Sequence, residues 1–295
     1  MSNGIAKREN EEKSIKLLAA QRKLYKEVGR LNSIDFFLSV IFPIVVSAVS
    51  SLIIENKGLY ILKYLTPVAI FFLSRWISYD SSRKRKLAAE IQQEFDTYVF
   101  QMSWDKSLFG DENKVKDDVI KYLGGCHYDD DKNKLLTDWY APSIDQLSLE
   151  DGINACQREN INWDSELRKK CKKVIFIIGA LAIFFLFFKG ALYNETVRQL
   201  LIEFYLYFPI FKWLYDTHDG LRNDIQRLDK IYDRFMRPDE VTMHDLQFTQ
   251  QLIYEHRKEA IKLPDVIYEI FRENDENREK NIIDLHRNWN DSNKK

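Results

Sequence analysis

The chain has 295 residues, with 44 lysines and arginines against 45 aspartates and glutamates, and a formal net charge of -1 at pH 7. This balance excludes the one-signed field of a general nucleic-acid binder. Mean hydropathy is mildly polar, but the apolar residues are gathered into four blocks with the charges between them.

Residues 1–33 read as a cytoplasmic N-terminal helix. The first block, IDFFLSVIFPIVVSAVSSLII, covers 34–54, and the second, LYILKYLTPVAIFFLSRWIS, covers 59–78. A spanning helix needs about 20 mainly apolar residues, and the second block qualifies if Lys63 and Arg75 reach towards the headgroups. The short ENKG link makes 34–78 a first transmembrane hairpin.

Residues 79–173 form a cytoplasmic helical segment. Leu87, Ile91, Phe95, Tyr98 and Met102 recur every three or four positions, which predicts that the second span continues as a helix to about Trp104. Breaks are expected at Gly110 and at Gly124–Gly125, with a short helix over 115–123 between them. After Pro142, Asp145 or Ser148 can cap a helix that carries CQRENINWD straight into the third block.

The third block runs from 174 to about 193. The fourth, LLIEFYLYFPIFKWLY, covers 200–215, is short, and carries Glu203 and Lys212. It reads as a span or as a buried soluble helix; taken as a span, it completes a second hairpin over 174–215. The tail, 216–295, is helical, with a stripe of Leu221, Ile225, Leu228, Tyr232 and Phe235. Pro238 ends that stripe, a second tail helix covers roughly 241–261, and Pro264 opens a third.

The expected fold is therefore an all-α membrane protein, with four transmembrane helices in two hairpins and long cytoplasmic helical extensions. Lysine and arginine crowd the segments before the first span, after the second and before the third, whereas the two hairpin links hold only Lys57, Lys189 and Arg198. That asymmetry places both termini and the middle segment in the cytoplasm. Cys126, Cys156 and Cys171 fall on that side and lack CxxC spacing, so reduced structural thiols are expected. His127 beside Cys126 has no second ligand pair at zinc spacing. No GxSxG, HExxH or P-loop pattern occurs. The expectation is a non-enzyme without metal or cofactor.

Three constellations remain. Asn160 falls in the stripe Leu149, Ile153, Cys156, Trp163, Leu167, either as an exposed edge residue or as a register device between packed helices. In the second reading Gln157, Asn160 or Asp164 meets Gln92, Gln93 or Asp96 on the extension of the second span. Lys63 and Glu203 lie at similar depth, each about five residues from an outer hairpin end, and either pair or extend separately to the headgroups. Ser39, Ser47 and Ser50 form with Pro43 a narrow polar stripe on the first span, suited to lining a pore or to close helix packing.

AAEIQQEFDTYVFQMSW resembles the segment that follows the second span in the S-4TM family, bacterial four-transmembrane effectors. CQRENINWD is similar to that family's signature before the third span. LQFTQQLIYEHRKEAIKLPDVIYEIFR resembles its tail, with HR and PD elements. The resemblance covers most of the chain. It implies a multi-pass effector of the bacterial inner membrane that oligomerises, forms pores and serves antiphage defence, often under a nucleotide second messenger or a partner protein. It implies no catalytic residues. The competing expectation is a membrane-anchored signalling or scaffold protein whose cytoplasmic helices bind a partner.

Overall fold

The computed structural model describes residues 2–52, 57–123, 136–192, 196–235 and 241–262. Every regular element among them is helical. Helix α1 is Ile5–Glu9 and α2 is Glu12–Phe36, which passes through a π-helical turn, Phe37–Ile41, into α3, Phe42–Leu52. Helix α4, Lys57–Val99, has 43 residues and runs through Pro67 without a break. Short helices α5, Lys106–Phe109, and α6, Glu112–Leu123, follow. A 3-10 turn, Pro142–Gln146, then leads to α7, Leu149–Leu192, with 44 residues. Helices α8, Val197–Leu206, α9, Phe208–Phe235, and α10, Met243–Glu259, complete the described chain.

Length alone dictates the division of α4 and α7. At about 1.5 Å per residue each is roughly 65 Å long, twice the ~30 Å of a bilayer's hydrocarbon. Only one end of each is mainly apolar, and the other carries most of the charges. Three helical stretches, Glu12–Val49, Ile61–Val99 and Leu149–Leu192, are long and apolar enough to cross a membrane. Their most apolar windows are only 28%, 22% and 17% buried within the protein. Phe72, Trp76, Phe176, Phe184 and Phe187 point outward from them, a surface that water would penalise and lipid would not.

The helices pair antiparallel. Lys13 meets Glu94 at 3.1 Å, Lys84 meets Glu27 at 2.7 Å and Ser81 donates to Asn32 at 3.0 Å, so α2 descends along α4. On the other side Lys169 meets Asp229 at 3.5 Å and Lys189 meets Glu203 at 3.2 Å, so α8 and α9 run back along α7. Helix α10 lies against the polar ends of α4 and α7 and joins the two pairs.

The polar extension of α4 buries the predicted stripe. Ile91 and Phe95 are fully enclosed with Leu18, Leu24, Val99, Ile153 and Cys156. The helix stops at Val99 rather than near Trp104, because Gln101 takes a left-handed backbone at φ 56°. Met102 remains buried beyond that stop. Ser148, not Asp145, caps α7: its hydroxyl accepts from the Asp151 N–H at 3.1 Å and donates to the Asp151 carboxylate at 2.7 Å. Asp145 instead accepts from the Ser2 hydroxyl and the Ala6 N–H, pinning the N-terminal segment. Capping boxes start α8, from Thr196 and Gln199, and α10, from Thr242 and Asp245.

The fourth apolar block is not one helix. It breaks at Tyr207 between α8 and α9, because Pro209 has no N–H with which to carry the ladder across. Cys156 and Cys171 are buried and form no disulfide. Cys126, His127 and the tail from residue 263 lie outside the described residues.

Glu9 closes the N-terminal packing and is 1% exposed. Its Oε2 accepts from the Tyr140 N–H at 2.9 Å, and its Oε1 is buried without a partner. Burial pushes its carboxyl up to about 8 against the pull of that hydrogen bond. Between the unfolded value of 4.5 and about 8, the folded chain holds a proton that the unfolded chain has released, so stability falls as pH rises through that window. Thermal unfolding in detergent is expected to lose on the order of 3 kcal/mol from pH 5 to pH 8 at this group. Glu9→Gln is expected to flatten that fall; an equally steep fall in the variant would assign it to other groups.

Candidate functional site

All four apolar segments meet at one carboxylate. Glu203, on α8, is 4% exposed. Its Oε1 lies 2.7 Å from Lys63 Nζ on α4. Its Oε2 accepts from the Ser47 hydroxyl on α3 at 2.6 Å and lies 3.2 Å from Lys189 Nζ on α7. Lys189 also donates to Ser47 at 3.2 Å. The cluster holds two ammonium groups and one carboxylate, and Ser47 is 2% exposed. In so dry a setting each charge depends on its partners, since an unpaired one would pay the full desolvation penalty. The chain packs tightly beside it. A Cβ added at Gly190 would stand 2.4 Å from the Leu200 side chain, so the missing side chain lets α8 seat against α7.

The structure brings Lys63 and Glu203 into contact and adds two members that the sequence expectation had placed elsewhere. Ser47 had been grouped with the serine stripe, and here it faces inward. Lys189 had been assigned to a hairpin link, but α7 continues past it to Leu192. A local signal existed: in FFKGAL the lysine is flanked by apolar residues on both sides, as an intramembrane charge is. Ser39 is also buried, and its hydroxyl donates to Asp35 Oδ1 at 3.5 Å. The side chain of Ser50 lies outside the described residues.

A second polar network ties the polar ends of the long helices together. The expected direct meeting of Gln157, Asn160 and Asp164 with Gln92, Gln93 and Asp96 does not occur, because α10 lies between them. Gln157 Nε2 donates to Leu246 O and Gln250 Oε1, both at 3.0 Å. Gln250 Nε2 then donates to Gln93 Oε1 at 3.1 Å and Asp96 Oδ2 at 2.8 Å. Asn160 donates to the Tyr140 hydroxyl at 3.2 Å, and Tyr140 donates to Asp96 Oδ1 at 3.4 Å. Burial, reinforced by Asp96, raises the Tyr140 phenol well above its ordinary value, so it keeps the proton it donates. Arg257 pairs with Asp96. Burial works against the Arg257 charge, but Asp96 outweighs it and raises the guanidinium.

Asp164 closes the circuit. It accepts from His256 Nε2 at 2.8 Å and from Arg168 Nε at 2.9 Å. A carboxylate only accepts, so His256 carries its hydrogen on Nε2. Arg168 also pairs with Asp224 on α9, which accepts from the Ile261 N–H at 3.0 Å. Helices α4, α7, α9 and α10 are thus linked through buried polar groups. Among the described residues Gln92 joins none of these bonds. No group of three histidines, cysteines or carboxylates among the described residues is placed to hold a metal.

The model of the SMODS-associating 4TM effector domain family matches residues 3–285. The chain is also similar to a probable CBASS effector molecule of Bacillus cereus (strain VD146), at 22% identity over 240 residues, covering 77% of each chain. No solved structure matches.

Removing members of the Glu203 cluster one at a time reads its logic. Glu203→Gln leaves two half-buried ammonium groups without their carboxylate and is expected to cost about 3 kcal/mol. Lys63→Met leaves Glu203 paired with Lys189 and is expected to cost clearly less. Thermal unfolding of both variants and of the double variant gives the order and the coupling. Equal losses in the two single variants, adding in the double, would count against a shared clasp.

Proposed function

Because the chain belongs to the SMODS-associating 4TM effector family, we propose that it is a bacterial antiphage-defence effector that crosses the inner membrane four times, oligomerises and permeabilises it. Both termini and the helical middle segment stand in the cytoplasm, and the protein acts without catalysis. A nucleotide signal, or a partner that carries it, acts on the cytoplasmic helices.

One observation supports this reading above the others: the Glu203 cluster draws a residue from each apolar segment to one depth. A carboxylate with two lysines is costly in hydrocarbon and is kept where it serves a path or a switch. It also brings α8 to the level of three helices dressed for lipid, which supports reading α8 and the start of α9 as the fourth crossing despite the break at Tyr207. The serines at 39 and 47 face the interior of this four-helix unit. Their lining of a pore therefore requires the unit to open or several copies to rearrange. The polar network around α10 couples the two helix pairs below the membrane, where a signal can change their relation.

The test is dye release from vesicles of bacterial lipid containing the purified full chain, with and without lysate of cells in which the defence system has been triggered. Release that depends on the trigger is expected. Asp96→Asn, which weakens the bonds to Arg257, Gln250 and Tyr140, is expected to raise release without trigger about tenfold, a shift of ~1.4 kcal/mol in the closed–open balance. Stable insertion with no release at any protein density, together with capture of a cytoplasmic partner, would instead favour the membrane-anchored scaffold.

A further inference from the structure

A cavity of about 260 Å³ lies among α2, α4 and α9, at the charged end of the apolar segments. Both interruptions of those segments open onto it. Ser39 comes from the π-helical turn, and Phe208 and Pro209 follow the break at Tyr207. A π-helical turn is a rare conformation that often marks a functional site. The two ends of the cavity differ. One is apolar, walled by Pro67, Ile70, Phe71 and Phe208, and Phe71 and Phe208 stand about half exposed on the outside of the helices. The other is polar, with Arg85, Lys262 and the amide of Asn32.

The lining is positive. Arg85, Lys212 and Lys262 stand in it against Asp35 and Asp216. Lys212 serves both carboxylates, since it pairs with Asp216 and its charge acts on Asp35. Arg85 makes no ion pair among the described residues. Its Nε donates to Lys258 O at 3.2 Å, and Nη2 reaches back to the Ser82 hydroxyl at 3.4 Å. Arg85 is half-buried, so its charge has lost water without gaining a carboxylate. The reach to Ser82 also sets its level. Ser82 lies four residues past Ser78, the end of the apolar block. That is about 6 Å of helix, which reaches the headgroup layer beyond the hydrocarbon.

We propose that this cavity seats the headgroup of an anionic phospholipid, its phosphate held by Arg85 with Lys262 and its chains leaving over Phe71 and Phe208 into the bilayer. A guanidinium fork matches two phosphate oxygens, and basic pockets between membrane helices at headgroup level take lipids of this kind. A lining with one positive charge in excess is neutralised by a headgroup with one negative charge. A zwitterionic headgroup brings a further ammonium to the same cations and leaves the excess in place. Free phosphate shares the chemistry of the polar end, but it leaves the apolar end and its sideways opening unused. The volume equals several waters at about 30 Å³ each, enough for a phosphate and its glycerol but not for two acyl chains, which lie outside. The site rests on the membrane placement of the apolar segments proposed above, and it does not require permeabilisation.

Thermal unfolding of the full chain in nonionic detergent tests it, at fixed ionic strength, with phosphatidylglycerol, phosphatidylcholine or inorganic phosphate added. A rise of about 2–4 °C is expected from phosphatidylglycerol and from neither of the others. Arg85→Gln is expected to abolish the rise. Arg83→Gln, which removes an exposed cation at a similar depth, is expected to keep it. Asp216→Asn takes a carboxylate from the lining and is expected to lower the midpoint concentration of phosphatidylglycerol about threefold. Loss of packing does not produce such a gain, so this variant decides the matter if Arg85→Gln does not fold. The proposal is overturned if phosphatidylcholine or inorganic phosphate stabilises the chain equally, or if Arg85→Gln responds like the native chain. It is also overturned if Arg83→Gln loses the rise, or if Asp216→Asn leaves the midpoint unchanged or raised. Flotation with phosphatidylcholine vesicles is scored separately. A chain that floats but shows no rise with phosphatidylglycerol removes the site and leaves the membrane reading; a chain that does not float removes both.

Discussion

A carboxylate buried among apolar helices has few ways to persist, and Glu203 uses several of them together. Two ammonium groups and a hydroxyl, from three other segments, satisfy its oxygens. Each of those groups depends on it in turn, so the arrangement of α3, α4, α7 and α8 is specified by polar chemistry at a level where apolar contacts discriminate poorly. Leucine and phenylalanine tolerate many rotations of one helix against another; a lysine seeking its carboxylate tolerates few. The outward faces are left free to be uniformly apolar, as Phe72, Phe176 and Phe184 are.

The polar half of the molecule solves the same problem by different means. There the apolar core around Ile91, Phe95 and Ile153 supplies the bulk of the burial. The amides of Gln157 and Gln250 and the ion pairs of Asp96 and Asp164 supply the register. Helix α10 is the common member. It runs antiparallel to α4 and alongside α7, so whatever displaces it disturbs both pairs at once. This network and the Glu203 cluster hold the same two long helices at opposite ends, joined by unbroken helical backbone.

What was legible in the sequence was local. Spacing gave the stripe of Ile91 and Phe95, the continuation of the apolar blocks into polar helices, and a cap at the start of α7. Similar depth suggested Lys63 and Glu203, because both are counted from the same side of a membrane. What escaped notice depended on distant parts of the chain. The Asn160 amide finds Tyr140, twenty positions away and across a turn. Gln157 reaches α10 across about ninety residues. No periodicity encodes which helix will slide between two others. The stop at Gln101 also had no signal, since the left-handed position there is filled by a residue that is not glycine. A proline at 209 allows a bend, but nothing local says that it divides the fourth block into two helices.

Helices α4 and α7 run unbroken from the α10 network to the Glu203 cluster, whereas the first and fourth segments are each interrupted, by the π-helical turn at Phe37–Ile41 and by the break at Tyr207. The molecule is thus built of two stiff levers and two jointed arms. A tilt of a few degrees at the foot of a rod about 65 Å long moves its head by several ångströms, and the jointed arms give way where their backbone ladders are already disturbed. A tilt of the levers at the α10 end would therefore be felt at Ser47 and Glu203, the contributions of those two arms to the cluster, while Lys63 and Lys189 would travel with the levers.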